Sequence, residues 1–357
     1  MKETMMSNIL EEEEICHDIF ENIESNLSKL RSFIEKEKPK NWLILATGSS
    51  ANAMLSAKYY MEKVADISIE IQEPFNFVHY EKIKETTDFV LAVSQSGHSF
   101  STIEALKKVQ SNGSVPTAVL TSKLESPITH YTDMVIDIGC GIEKVGFVTK
   151  GFTATVLTSM LIGVMTGEVL GNLTKDDVTK EWKKLKEITA QIPTVIEKTK
   201  SYYSLHAEEL NRLPRFAAIG YGPTVGTAKE FETKFTETVR VPSQGFELEA
   251  YMHGPYLEVN KSHGLFFILT NSKLINRAEK LKQYFRTYTE HCFTISQLSN
   301  PLDEKTLTLG IEMDELMSPL IMAIPIQILS YRIALGRGID LDVDIFKDFD
   351  QVLKSKV

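Results

Sequence analysis

A hydroxyl-rich run, SQSGHS at residues 94–99, directly follows the apolar segment DFVLAV. The apolar segment is typical of a buried strand. In open parallel sheets ligands bind where strands end and helices begin, because helix N-termini present unpaired N–H groups there. Ser94, Ser96 and Ser99 add hydroxyl donors, and Gly97 lets the backbone approach a ligand closely. The run therefore predicts a binding site for a phosphate group.

A second hydroxyl-bearing turn, Gly48-Ser49-Ser50, ends the strand-like run NWLILATG. The switch point of a parallel sheet could bring both turns to one anion, since amides and hydroxyls can hold a phosphomonoester without a lysine. The alternative is that Ser99 or Ser101 is only a helix N-cap and the remainder is turn chemistry.

Lys234 and Glu237 are three residues apart in a helix-like stretch of the second half. Phe231, Phe235 and Val239 form the apolar stripe of that stretch, which leaves the two charged residues together on another face. A carboxylate beside a lysine could move protons on a substrate, but pairs at this spacing usually lie on a solvated helix surface.

Other motifs are weak or missing. The glycines of GYGPTVG (220–226) are spaced irregularly for a dinucleotide-binding loop, and Pro223 removes an amide from it. The alternative hypothesis of an oxidoreductase that uses a nicotinamide cofactor has no other support than this run. We find no Walker loop, no HExxH motif and no zinc-type cluster, so no metal and no cofactor are expected.

Strand-like and helix-like segments alternate through short turns, which predicts parallel sheets covered by helices on both faces. In the first half, strands are expected near 41–48, 67–71, 88–93, 115–121 and 134–138, with helices from about 51, 101 and 151. The second half has the same plan: Ala46 corresponds to Gly220, and Asp88 corresponds to Gly264. The fold class predicted is α/β, with two tandem doubly wound units of five parallel strands.

The predicted organisation is a helical segment (1–40), a first domain (41–173), a helical connection (174–213), a second domain (214–340) and a tail (341–357). The 357 residues carry a net charge of −9 without a basic stripe, which argues against nucleic acid as a partner. Three scattered cysteines and an N-terminus without an apolar stretch favour a cytoplasmic protein with reduced thiols. The apolar run near 154–169 is expected to be a buried helix and not a membrane span.

Four segments of the chain resemble the double sugar-isomerase (SIS) domain family: TGSSANAMLSAKYYMEK, SQSGHSFSTIEALK, VTKGFTA and KFTETVRVPSQGFELEAYMHGP. The similarity is to the isomerase half of glucosamine-6-phosphate synthase and to stand-alone fructosamine-6-phosphate deglycases and amino-sugar-phosphate isomerase/deaminases. The glutaminase half of the synthase has no counterpart here, so glutamine-dependent ammonia production is not expected of this chain alone.

The resemblance implies a role for individual residues. It assigns the substrate phosphate to one set of residues, Ser94, Gln95, Ser96 and Ser99, and the lining of the sugar site to Ser49 and Ser50. Glu237 matches the carboxylate that carries a proton between C1 and C2, and Lys234 matches a lysine of the same pocket.

Two further residues complete the implied site. His253, in a His-Gly-Pro turn, matches a histidine that assists ring opening and is donated across a dimer. Lys354 is the best match to a C-terminal lysine, with Lys347 and Lys356 as alternatives.

The chain departs from the family at two places. Val148-Thr149-Lys150 replaces a Ser-Thr-Lys run, and His98 stands where the synthase has an acidic residue. The identity of the sugar is therefore open.

The function expected is that of a phosphosugar isomerase-type enzyme: an isomerase, deaminase or deglycase acting on an amino-substituted hexose 6-phosphate. The alternative is a regulatory module that binds a sugar phosphate without turnover. A homodimer with a shared active site is expected, and neither nucleic acid nor a membrane is expected as a partner.

Overall fold

The computed structural model describes residues 4–113 and 115–356 of the chain. The described residues form two compact units. The first unit contains residues 14–185 and 344–356, and the second contains residues 4–13 and 186–343.

The strands and helices have the following bounds. The strands are β1 (Asn41–Ala46), β2 (Ser68–Gln72), β3 (Phe89–Val93), β4 (Thr117–Thr121), β5 (Met134–Asp137), β6 (Arg215–Gly220), β7 (Ser243–Glu247), β8 (His263–Leu269), β9 (Cys292–Ser296) and β10 (Thr306–Thr308). The helices are α1 (Met5–Leu10), α2 (Glu12–Asn26), α3 (Ser28–Glu37), α4 (Gly48–Ala65), α5 (Pro74–Tyr80), α6 (Phe100–Ser111), α7 (Lys150–Val169), α8 (Lys175–Thr189), α9 (Ile192–Arg212), α10 (Thr224–Lys234), α11 (Leu248–Tyr251), α12 (Ile275–Phe285), α13 (Pro319–Gly336) and α14 (Phe349–Leu353).

The first sheet has the strand order β2-β1-β3-β4-β5, and all its pairs are parallel. Its central strands, β3 and β4, are buried at every position, as near-continuous apolar runs in a sheet covered on both faces should be. The register pairs Ala46 at the end of β1 with Val93 at the end of β3. The turns that follow these two strands therefore lie at the same edge of the sheet.

The second sheet has the order β10-β9-β8-β6-β7, also entirely parallel. Numbered from the first strand of each unit, both sheets have the order 2-1-3-4-5. The predicted fold class, two tandem five-stranded parallel α/β units, is confirmed.

Among residues 4–113 and 115–356, two helices, α7 and α13, are long and apolar enough to cross a membrane by length and composition alone. In the structure 89% of the most apolar stretch of α7 and 78% of that of α13 are buried. Within the first unit α7 packs closely on α4, and a Cβ at Gly167 would lie 2.3 Å from the Val64 carbonyl oxygen. The helix expected near 154–169 is thus part of the core of its unit.

Two elements differ from the prediction in ways that bear on the site. Helix α4 begins at Gly48, three residues earlier than expected, so Ser49 and Ser50 lie in its first turn. The helix expected to run through Val239 changes its hydrogen bonding after Lys234 and continues as a π-helix, Phe235–Val239. This segment ends at a left-handed residue, Arg240 (φ 58°), whose N–H donates to the Phe235 carbonyl and closes the wider turn.

Candidate active site

The hydroxyl-rich run forms a rigid turn after β3 in the first unit. Backbone hydrogen bonds join Ser94 N–H to the Leu120 carbonyl and Ser122 N–H to the Gln95 carbonyl, both at 3.0 Å. Gly97 has φ +67°, and a Cβ there would lie 1.9 Å from the Ser126 hydroxyl oxygen, so the turn requires glycine. These contacts fasten the run at the carboxyl edge of the sheet.

The hydroxyl groups of this turn are not used up in capping α6. Ser99 occupies the N-cap position, but its side chain accepts no backbone N–H of the helix. The Thr102 hydroxyl instead donates to the Ser99 hydroxyl at 3.0 Å, and the Ser96 hydroxyl accepts from His98 N–H at 3.3 Å. Ser99 is thus the N-cap residue by position, but its hydroxyl makes no cap hydrogen bond to the helix backbone.

Ser49 and Ser50 lie at the same edge of the sheet. Thr47 precedes α4 in an extended conformation and makes no side-chain cap, and Gly48 has φ +57°. Both serines are half-buried in the first turn of the helix. Because β1 and β3 are neighbours, this turn and the run 94–99 end adjacent strands.

The C-terminal tail packs on this edge of the first unit. Phe100 N–H donates to the Ser355 carbonyl at 3.2 Å, and Ser99 and Lys356 form an antiparallel bridge. Lys354 therefore lies two residues from the bridge, in a left-handed conformation (φ 51°) that ends α14. Of the alternative lysines, Lys356 pairs with Asp350 at 3.3 Å and Lys347 is exposed.

Sequence reasoning missed an acidic residue that contacts the same turn. The Glu143 carboxylate accepts a hydrogen bond from Gln95 Nε2 at 3.2 Å and from the Thr149 hydroxyl at 2.6 Å. Glu143 belongs to no motif, and its position after β5 is the only signal that could have identified it. Nearby, burial raises the pKa of the Cys140 thiol to about 11, so this cysteine is protonated at neutral pH.

In the second unit, Lys234 and Glu237 form an ion pair with 2.6 Å between Nζ and Oε2. The Lys234 side chain is 0% exposed and that of Glu237 is 38% exposed. Glu230, also fully buried and also missed by the sequence analysis, lies 3.7 Å from the same ammonium. The alternative of a solvated surface pair is therefore wrong for Lys234.

Aromatic packing fixes the backbone that carries this pair. The rings of Phe231 and Phe235 stack with 3.7 Å between centroids, and both side chains are fully buried. They cover one side of the α10 and π-helix segment, while Lys234 and Glu237 occupy another. The π-helix begins at the residue after Lys234 and contains Glu237, and such wider turns often occur at functional sites.

His253 lies in an exposed turn after α11, also in the second unit. Its N–H donates to the Ala250 carbonyl at 3.1 Å, and Gly254 follows with φ 124°. The Glu247 carboxylate caps α11 by accepting from Glu249 N–H and Ala250 N–H, both at 2.8 Å. The turn thus presents the imidazole to solvent from a defined backbone.

The predicted residues fall into two sets. The serines, Gln95 and the tail with Lys354 belong to the first unit, whereas Lys234, Glu237 and His253 belong to the second. Within residues 4–113 and 115–356, no group of three or more His, Cys, Asp or Glu side chains is arranged to hold a metal ion.

Comparison with known proteins gives a match to one family model. Residues 37–166 match the family model described as SIS domain. The glutamine–fructose-6-phosphate aminotransferase (isomerizing) of Gloeobacter violaceus is 26% identical over 302 residues, which cover 84% of this chain and 49% of that protein. The chain spans about half the length of the curated relatives it matches.

Solved structures agree on the fold. A proposed phosphosugar isomerase from Clostridium difficile 630 superposes with a TM-score of 0.91 at 24% identity, covering 99% of this chain and 98% of that one. The C-terminal domain of glucosamine-fructose-6-phosphate aminotransferase from Francisella tularensis gives 0.86 at 21% identity, covering 95% and 98%. Residues 37–166 thus match the SIS domain model, and the chain has the same fold as these two solved structures.

Proposed function

We propose that this chain is an enzyme that opens an amino-substituted hexose 6-phosphate and transfers a proton between C1 and C2. The nitrogen is retained or released according to whether the enzyme is an isomerase, a deaminase or a fructosamine-6-phosphate deglycase. The observation that carries the proposal is the ion pair of a fully buried Lys234 with the partly exposed carboxylate of Glu237. A carboxylate that is held in place and open to solvent on one side suits a proton shuttle.

In this proposal the first unit binds the phosphate. The turn at residues 94–99 supplies hydroxyl groups and the first turn of α6, while Ser49 and Ser50 contact the sugar. The N-terminal end of a helix favours a dianion through its amides and its dipole. Binding there holds the rest of the substrate in place for the chemical step.

The second unit supplies the proton chemistry. His253 takes the proton of the anomeric hydroxyl and donates one to the ring oxygen, which gives the open-chain carbonyl form. Glu237 then removes the proton from one carbon to give an enediol or enolamine, and it returns that proton to the adjacent carbon. Lys234 orients the carboxylate, and Lys354 polarises the carbonyl or condenses with it to form an imine, releasing one water molecule.

The competing function is a regulatory module that binds a sugar phosphate without turnover. Such a module needs the hydroxyl-rich turn, but binding alone does not require the buried ammonium of Lys234 between Glu230 and Glu237. Burial of that lysine is costly unless it is paired, which favours an enzyme.

Replacement of one hydroxyl in the turn tests the phosphate assignment. Ser96→Ala should raise KM for a phosphorylated sugar about five- to tenfold and leave kcat within about twofold, because it removes one hydrogen bond to a charged group. Steady-state kinetics with glucosamine 6-phosphate, fructose 6-phosphate and a fructosamine 6-phosphate would measure this. An unchanged KM for every sugar that turns over would remove the turn from the site.

A further inference from the structure

A carboxylate outside the proposed catalytic set ties the hydroxyl-rich turn to a neighbouring helix. Glu143 lies in the loop between β5 and α7. One of its oxygens, Oε1, accepts from Thr149 N–H at 2.8 Å and from the Thr149 hydroxyl at 2.6 Å. The other oxygen, Oε2, accepts from Gln95 Nε2 at 3.2 Å and from Gly151 N–H at 3.3 Å.

These contacts place the Gln95 carboxamide over the first turn of α7. A Cβ at Gly151 would lie 2.7 Å from Gln95 Nε2, so the absence of a side chain at Gly151 makes room for it. A carboxylate can only accept hydrogen bonds, and it therefore directs the amide nitrogen of Gln95 toward itself and the carboxamide oxygen elsewhere. Glu143 thus selects one orientation of a side chain in the turn.

Glu143 also occupies a helix end that would otherwise attract anions. Thr149 is at the N-cap of α7 and makes no side-chain cap, so Glu143 takes that role for Thr149 N–H and Gly151 N–H. A carboxylate at this end satisfies the helix dipole and repels a second anion.

From this geometry we infer that Glu143 is a positioning residue for phosphate binding. It acts through Gln95 by holding the turn at residues 94–99 in the conformation that binds phosphate. The inference rests on the proposed function, since it concerns the same phosphate. If Glu143 only capped α7, its loss would lower stability without changing affinity for a phosphate.

Affinity measurements on four variants separate these roles. Inorganic phosphate and fructose 6-phosphate would be titrated into wild type, Glu143→Gln, Gln95→Ala, the double variant and Thr149→Val by calorimetry. Glu143→Gln keeps the size of the side chain but replaces one carboxylate oxygen by an NH₂ group. That group cannot accept a hydrogen bond from Gln95 or from the amides of the helix. Thr149→Val is the matched control, because it removes one donor to Glu143 and leaves the Gln95 contact in place.

We expect Glu143→Gln and Gln95→Ala each to weaken binding about five- to tenfold. The affinity of the double variant should be at most about twofold lower than that of either single variant, because both changes remove the same contact. Thr149→Val should lower Tm and keep both affinities within about twofold. Wild-type affinity in Glu143→Gln, or additive losses in the double variant, would overturn the inference and leave the proposed function intact. Wild type that binds neither probe would overturn the proposed function and this inference with it.

Discussion

At the scale of single residues, the central feature is the ammonium of Lys234 between two carboxylates. Removing a charged lysine from water is costly, and the pairs with Glu230 and Glu237 offset that cost. Glu230 is buried like the lysine, whereas Glu237 keeps part of its surface in solvent. The arrangement therefore fixes the orientation of Glu237 and leaves it accessible to a ligand.

Replacing this carboxylate should separate chemistry from binding. Glu237→Gln should lower kcat by about 10² to 10⁴, because an amide cannot shuttle a proton, and should leave phosphate affinity within about threefold. Glu208→Gln, at an acid that is 80% exposed in the same unit, is the control. Kinetics with fructose 6-phosphate and calorimetry with inorganic phosphate would measure both effects. Parallel loss of turnover and affinity would mean that Glu237 is structural.

The site residues that could be predicted differ from those that could not in one respect: a local sequence pattern marks their position. Ser94, Ser96 and Gly97 follow an apolar strand directly, so their position at a sheet edge could be predicted. Glu143 lies in an irregular loop, and its contacts with Gln95 and Thr149 depend on the path of that loop. Tertiary contacts of this kind have no local signature.

At the scale of elements, continuous apolar runs predicted the strands because a parallel sheet buries both faces of its central strands. The π-helix after Lys234 could not be predicted. It requires one extra residue in a turn, and nothing in the composition of FTETV distinguishes it from an ordinary helix. This element nevertheless carries Glu237.

The start of β8 holds a histidine whose titration affects stability. His263 is 0% exposed at the start of the fully buried strand β8. Burial, followed by the charge of Arg215, lowers its pKa from 6.5 to about 4. The folded protein therefore keeps this ring neutral at pH values where the unfolded chain binds a proton.

The unfolding free energy should consequently fall as the pH is lowered. The contribution of His263 is fully present above pH 6.5 and is lost between pH 6.5 and about 4, for a total of roughly 3 kcal/mol. Urea unfolding of wild type and His263→Phe at pH 7.5, 6 and 5 would show it, since the variant should lose this part of the pH dependence. His17→Gln, at an exposed histidine, is the control. Identical pH dependence in wild type and His263→Phe would contradict the assignment.

At the scale of the whole molecule, corresponding segments of the two halves are separated by a nearly constant number of residues. This repeat allowed both sheets to be predicted from one plan. Ala46 ends β1, and its predicted counterpart Gly220 ends β6, the first strand of the second unit. The antiparallel bridge of the tail to Ser99 could not be predicted, because a single bridge between Ser99 and Lys356 leaves no periodic signal. The sequence therefore suggested a C-terminal lysine in the site but did not predict which residues the tail contacts.

The proposed site also makes a prediction about assembly. The family resemblance implies that His253 is donated across a dimer, so active protein should sediment as a dimer or a larger assembly. Analytical ultracentrifugation at the concentration of the activity assay would test this. A monomer with full activity would exclude a shared site.

Hydrogen exchange at the substrate tests the central claim most directly. Glucosamine 6-phosphate, fructose 6-phosphate and a fructosamine 6-phosphate would each be incubated with the protein in D₂O and followed by NMR. A proton shuttle predicts deuterium at C1 or C2 of at least one of them, at a rate that Glu237→Gln abolishes. Measurable binding of these sugars with no deuterium incorporated into any of them would contradict the proposed enzyme and favour a module that binds sugar phosphates without turnover.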